Sequence, residues 1–383
     1  MAAPHARHVR AEPVAVTNAP RVTVLISAYN DERFLAAAID SVLAQTYSAF
    51  DIVVVDDAST DRSGEIAASY RDPRVLVIEN SSNLGTGPAL NRGLAAIRSE
   101  YVAKLDADDI CFPQRLARQV EFLDAHPEVA VVGSQAVVID AKGRRVRRLE
   151  AWYETTEWGM RWRRIFQNPL IHSAAMFRRA IVWDVLGGYE ERYRFGEDFD
   201  LWDRLGRQYP ICNLRERLVG RRVYPGSLSA ANHPARAGYL ERKIPMIHTN
   251  MREGLRWDDV PERWAKLWAE IGDHSIPRTA DDVRDLVTGI ERCAARFAEI
   301  YPEGAADSEV VAHQAVMLAR ALGRIEAAGR RQSIAIWRKV FRRHRPTALR
   351  GLPRWVVAFL FGEWPARAWR AVRWRAITAG QKP

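Results

Sequence analysis

The chain has 383 residues, 48% of them hydrophobic and 27% charged, enough for one large soluble domain with an appendage or for two domains. No run of eighteen apolar residues occurs, which argues against an ordinary spanning helix, and the first twenty residues lack the apolar core of a signal peptide or anchor. The net charge of +10 sits in one place: residues 331–383 carry 13 of the 57 Lys/Arg but only one of the 47 acids, Glu363, so the remainder is close to neutral and need not bind a polyanion.

Residues 1–20 show no periodicity and read as a disordered lead-in. The β-branched run Arg21–Ala28 predicts a buried strand, broken by Tyr29-Asn30-Asp31 and followed by a helix over about 32–45. Asp51–Val55 predicts a second strand ending at Asp56 and Asp57, with Ser59, Thr60 and Asp61 as caps for the next helix. A third strand over 74–78, a turn-rich loop over 80–87 and a helix over 88–97 lead to a fourth strand, Tyr101–Leu105. Strands alternating with helices predict a parallel sheet here, with polar residues at the strand C-termini where open α/β sheets bind ligands. The first strand–helix turn, SAYNDERF, has no glycine-rich phosphate loop, which sets nicotinamide, flavin and P-loop readings aside.

The fourth strand ends in Asp106, Asp108 and Asp109. Carboxylates this close repel one another unless a cation or a proton lies between them. A hard divalent ion that keeps part of its shell for substrate phosphates is the natural occupant, whereas a helix N-terminus is the plainer explanation of the same triplet. Beyond it the pattern is mixed: a helix over 113–125, strand-like runs at 129–133 and 135–139, a Trp-rich stretch from Trp152 to Trp162 without a clear assignment, and 168–178 as a loop entering a strand. Gly187-Gly188-Tyr189 reads as a turn, and 195–208 as a helix that begins acidic, with Phe199, Trp202 and Leu205 on one face. From about residue 235 only helical patterns remain.

The segments VTVLISAYN, IVVVDDASTD, NLGTGPALNRGL, AKLDADD and GGYEERYRFGEDFDLWDRL, in this order and at these separations, resemble the inverting family 2 glycosyltransferases with a GT-A fold over roughly residues 20–232. The resemblance implies an α/β fold with a Rossmann-like mixed sheet flanked by helices, a nucleotide-diphospho-sugar donor (UDP by default), and Mg²⁺ or Mn²⁺ as cofactor. Carried over residue by residue, Asp106 and Asp108 handle metal and diphosphate, with Asp108 the direct ligand, Asp106 nearer the ribose and Ala107 between them. Ala28, Tyr29, Asn30 and Glu32 line the nucleotide pocket, and Asp56 or Asp57 accepts a hydrogen bond from the nucleobase. For Tyr29 the alternative is packing at a strand end, and for Asp56 and Asp57 it is helix capping. Asn91 and Lys104 face the donor or serve as a cap and a solvated lysine. Asp198, or its neighbour Glu197, is the general base that deprotonates the acceptor hydroxyl; the alternative for the pair is electrostatic support of a helix N-terminus. Gly187, Gly188 and Tyr189 shape the acceptor side, where His172 is either a contact or a structural histidine.

Two departures qualify the resemblance. Tyr224 stands where the family often has a histidine, and His233 is a poor substitute for it. The Q-x-x-R-W element of polymerising relatives such as cellulose and hyaluronan synthases is absent, which implies one sugar per encounter. The organisation expected is a lead-in (1–20), a GT-A domain (21–232), an accessory helical region (233–330) and a basic tail (331–383). In the tail, WVVAFLF at 355–361 lies among tryptophans and arginines, as an interfacial segment on an anionic membrane requires. The expectation is therefore a cytoplasmic enzyme, peripheral on the inner face of the cell membrane, with a glycan or glycolipid acceptor and no specific nucleic-acid partner. Cys111, Cys212 and Cys293 show neither metal nor disulfide spacing and suit a reducing compartment. A catalytically silent nucleotide-sugar-binding or scaffold protein of the same fold is the rival reading.

Overall fold

Val22–Ala28 (β1) lies at the centre of the molecule because its residues are apolar on both faces: Val22, Val24 and Ile26 pack to one side and Leu25 to the other, all fully buried. A computed structural model describes residues 20–146, 153–193, 196–225, 227, 238–272 and 279–322 of the chain. In it, β1 is followed by Leu35–Leu43 (α1), Phe50–Asp56 (β2), Ser63–Ser69 (α2), Val75–Glu79 (β3), Thr86–Ala96 (α3) and Tyr101–Asp106 (β4). Then come Ile110–Cys111 (β5), Arg115–Ala125 (α4), Val131–Ile139 (β6), Glu157–Phe166 (α5), Met176–Arg178 (β7), Glu197–Gln208 (α6) and Ile211–Arg222 (β8). The described chain closes with Tyr239–Gly254 (α7), Glu262–Gly272 (α8), Ala280–Ile300 (α9), Pro302–Ala305 (α10) and Ser308–Leu322 (α11).

The eight strands form one mixed sheet in the order β3-β2-β1-β4-β7-β6-β8-β5. The first four run parallel, as their alternation with helices predicts; β7 is antiparallel to both β4 and β6. Register places the strand ends together. Ala28 pairs with Asp56 on one side of β1, and Ser27 pairs with Asp106 on the other, so the two acids flank β1 at about two strand spacings, ~10 Å. The two strands expected over 129–139 are one, β6, with irregular register at Ser134–Ala136 that shifts its pairing with β8.

Of the Trp-rich stretch, Trp158 and Trp162 lie on α5, capped by Thr156, whose hydroxyl accepts from the Gly159 N–H at 3.0 Å, and Trp152 lies outside the described residues. Trp162, Ile165 and Phe166 of α5 and Phe199 of α6 share a core with Met251, Trp264, Trp268 and Phe297 of the C-terminal helices. Those helices are thus packed into the strand-bearing part. The junction is also polar: the Glu309 carboxylate of α11 accepts from the N–H groups of Thr155 and Thr156 at 2.5 and 2.8 Å and from the Thr155 hydroxyl at 2.8 Å. Among the described residues no helix is long and apolar enough to cross a membrane. The lead-in, His233 and the basic tail lie outside the described residues.

Candidate active site

The turns after β1 and β2 are held against each other. Asn30 sits in the left-handed region at φ +58°, tolerable for asparagine, and Ala58 adopts the same φ at a steric cost. The Asn30 side-chain oxygen accepts from the Thr60 N–H at 2.8 Å, its own N–H donates to Ser59 Oγ at 3.0 Å, and the Glu32 carboxylate accepts from the Arg62 N–H. Asp56 accepts from the Ser59 hydroxyl at 2.5 Å. Buried Asp57 accepts from Asn80 Nδ2 at 2.7 Å and from the N–H groups of Leu84 and Gly85 at 2.9 and 2.8 Å, so it shapes the loop before α3. Of the expected caps for α2, only Asp61 reaches its start, accepting from the Ser63 N–H at 2.9 Å; Ser59 and Thr60 are turned to Asp56 and Asn30. Tyr29 is 47% exposed at the rim, not packed into the core, while Ala28 is buried beneath it.

Asp106 ends β4 beside these turns. Its Oδ1 lies 2.9 Å from Lys104 Nζ and 3.8 Å from His172 Nδ1, and its N–H donates to Ser173 Oγ at 3.0 Å. Lys104 is fully buried and also donates to the Leu105 carbonyl at 2.6 Å, so it is a counter-charge beneath the acid rather than a solvated lysine. Loss of solvation pushes the Asp106 carboxyl up, but Lys104, His172 and Ser173 outweigh it and hold it below the ordinary range. Asp108, past buried Ala107, is raised to about 6 by burial and by the Asp106 charge, against a hydrogen bond from the Tyr224 hydroxyl. Asp109 turns inward, accepts from the Arg222 N–H at 2.6 Å, and is strongly raised by burial and by the other two acids.

Asp31 joins the group unforeseen. Burial lifts its carboxyl to about 7, with the charges of Asp108 and Asp106 adding to the shift. Its only signal in the sequence is its place after Asn30, and it takes the left-handed turn at Asn30 to bring it to the cluster. Tyr224 stands across from it, its phenol raised by burial and by the charges of Asp108 and Asp31.

The second group starts α6. Glu197, Asp198 and Asp200 occupy its first turn, where the helix dipole favours negative charge. Asp198 Oδ1 accepts from the Phe199 N–H at 2.7 Å, and Oδ2 accepts from Asn168 Nδ2, a contact that sequence reading did not single out. Asn168 is held in turn by Arg163 of α5, which donates to its carbonyl at 2.9 Å and to the Glu154 carboxylate at 2.8 Å. Buried Glu197 is pushed up to about 8, chiefly by burial and then by the adjacent Asp198.

His172 and Tyr189 join the two acidic groups. His172 Nε2 lies 2.9 Å from the Tyr189 hydroxyl, while its other ring nitrogen faces Asp106. Burial lowers the His172 pKa against the pull of Asp106. Buried Tyr189 is strongly raised, first by burial and then by Glu197, Asp198 and Asp106, so all three charges are felt at one phenol. The Gly187-Gly188-Tyr189 turn has φ of +74° and +79° at its glycines. Asn91 clamps it, donating to the Tyr189 carbonyl and accepting from the Tyr189 N–H, both at 2.8 Å. Arg204 of α6 donates to the Gly188 carbonyl at 2.8 Å. The Asn91 amide is therefore committed to the turn.

Among the described residues no three or more His, Cys, Asp or Glu side chains are gathered tightly enough to cage a metal ion. A carboxylate pair such as Asp106 and Asp108 would suit an octahedral ion that completes its shell with water and phosphate oxygens.

A glycosyl transferase family 2 model matches residues 23–186. EpsE of Bacillus subtilis (strain 168) is 35% identical over 209 residues, spanning 53% of this chain and 73% of EpsE. The chain belongs to glycosyltransferase family 2. Its similarity extends to the amylovoran biosynthesis glycosyltransferase AmsE of Erwinia amylovora, 33% identical over 51% of this chain and 74% of AmsE. The succinoglycan biosynthesis protein ExoO of Rhizobium meliloti (strain 1021) is 38% identical over 62% of this chain and 67% of ExoO. Among solved structures, that of S. aureus TarS shares the fold with a TM-score of 0.50 at 18% identity, covering 80% of this chain and 54% of TarS. The family 2 architecture is thus a GT-A fold, with the mixed sheet flanked by helices and a helical C-terminal region. The span matched by the family model ends before α6.

Proposed function

We propose that this protein transfers one sugar from a nucleotide-diphospho-sugar, UDP-linked by default, to an acceptor hydroxyl with inversion at the anomeric carbon. The observation that carries this reading is the meeting of two acidic groups, one at the end of β4 and one at the start of α6, across His172 and Tyr189. Tyr29, Asn30, Glu32, Asp56 and Asp57 frame the nucleoside side. Asp106 and Asp108 would hold Mg²⁺ or Mn²⁺, with Asp31 and Tyr224 beside them. When bound, the ion supplies positive charge that stabilises the departing diphosphate. Asn168 and the Phe199 N–H orient Asp198 so that it can take the proton from the attacking hydroxyl, and Lys104 keeps Asp106 ionised beneath the donor. Gly188, Tyr189 and His172 border the acceptor.

Assembly of a surface polysaccharide, lipopolysaccharide or glycolipid is the biological setting we infer, supported by similarity to proteins named for amylovoran and succinoglycan biosynthesis. The tail composition supports peripheral attachment to an anionic membrane, read by vesicle co-sedimentation with and without residues 331–383.

A thermal-shift screen of nucleotide-sugars with Mn²⁺ tests the donor reading, since a ligand bound only by the native state raises the melting temperature. One donor should stabilise the protein and release its nucleoside diphosphate, and Asp108→Ala should abolish both effects. Stabilisation and release that persist in Asp108→Ala would refute the metal-and-diphosphate role.

A further inference from the structure

A groove of about 540 Å³ lies between α3 and the π-helical turn Ala180–Val185, lined by Leu84, Asn91, Arg92, Trp183 and Glu191 among others. None of these residues carries a role in the proposed metal, diphosphate or proton chemistry, yet the groove is built onto the turn proposed to border the acceptor. The edge of the Trp183 ring packs on Gly188: a β-carbon there would come within 3.0 Å of the indole and 2.4 Å of Asn91 Oδ1. Asn91, in the groove wall, clamps Tyr189 and donates to Glu191 at 3.3 Å. One helical turn up α3 (~5.4 Å), a β-carbon on Gly87 would be in contact with Tyr189 and Glu197, the residue next to Asp198. The groove therefore shares its wall, through Asn91 and Trp183, with the turn proposed to border the acceptor.

Its chemistry selects a class of occupant. A half-buried indole offers an apolar face, and exposed Arg92 and Glu191 add one positive and one negative hydrogen-bonding group. Among the described residues Arg92 has no partner, so its guanidinium donors are uncommitted. Apolar C–H faces beside edges crowded with hydroxyls are the surface of a pyranose. Opposite charges on the wall favour a neutral ligand over a polyanion or a lipid phosphate.

We propose that this groove is an acceptor subsite for a neutral glycan, holding the sugar next to the one that is attacked. The inference rests on the transferase reading above, and its test fails separately. The full chain is labelled with fluorotryptophan, and the Trp183 resonance, one of 13 tryptophans, is assigned by its loss in Trp183→Phe. Fluorine NMR then follows titration with malto-, cello-, manno- and galacto-oligosaccharides at up to tens of millimolar. At least one should shift the Trp183 resonance. Arg92→Ala should weaken that binding roughly tenfold, the scale of one charge-assisted hydrogen bond. Asp108→Ala should leave it unchanged, and UDP with Mg²⁺ should not move the resonance. A Trp183 signal unmoved by every saccharide, moved by UDP, or dependent on Asp108 overturns the subsite. Absence of donor turnover alongside a persisting saccharide shift would overturn the transferase reading and leave a glycan-binding groove.

Discussion

The polar contacts that shape the β1–β2 side of the site join neighbouring loops, whereas the chain of contacts behind Asp198, though each of its first links is short in sequence, ends on a C-terminal helix. Asn30 with Ser59 and Thr60, Glu32 with Arg62, and Asp57 with Asn80, Leu84 and Gly85 are all separated by 23 to 30 residues. Behind Asp198 stand Asn168, then Arg163 and Glu154, and then α5, whose N-terminal approach is tied to Glu309 across 154 residues. The clamp of Asn91 on Tyr189 spans 98. Neighbouring strand-end loops thus shape the turns after β1 and β2, the acids at the end of β4 are held from Ser173 and Arg222, and the start of α6 is backed through α5 by the C-terminal helices. A helical region that touches no reacting atom is in this sense part of the site's geometry.

That contrast can be broken from its far end. Glu309→Ala leaves two N–H groups and a hydroxyl without their charged acceptor, at a cost of ~1.5–3 kcal/mol. We expect a melting temperature several degrees lower and a reduced kcat, with the donor-induced thermal shift retained. Equal loss of donor binding and turnover would show that the two sides are not supported separately.

A smaller effect is expected at Glu197. Its folded pKa of about 8 lies above the unfolded value, so the protonated form is favoured on folding. Its contribution to stability is complete at low pH and is lost as pH rises from the ordinary glutamate range through about 8. Glu197→Gln removes that dependence. The variant should melt close to the parent near pH 5 and above it at pH 9, as read by calorimetry across that range; parallel curves at all pH values would contradict the assignment.

The same contrast explains what could be read from the sequence. The parallel strands were legible because their apolar runs and the acids that end them are local features, and so were the glycine turn and the acidic start of α6. Lys104 was not, since nothing nearby in sequence says that its ammonium lies buried under Asp106. Asn91 was ambiguous for a related reason: its role as a clamp depends on a turn 98 residues away. Asp31 needed the left-handed turn at Asn30, and Asn168 needed α5, whose apolar face is read only once α7, α8 and α9 are packed on it. β6 reads as two strands because Gly133-Ser134-Gln135 interrupts its apolar run, and its register with β8 shifts at the same place.

On the proposed reading the Asp106–Asp108 pair binds the donor, and Asp198 takes the proton from the acceptor hydroxyl that attacks it. The most direct measurement follows the donor-induced thermal shift and product formation together in Asp198→Asn, with Mn²⁺ and the preferred nucleotide-sugar. The shift should match that of the parent while transfer falls by ~10²–10⁴. Transfer at the parental rate, or a donor shift lost along with it, would contradict the division of roles between the two ends of the site.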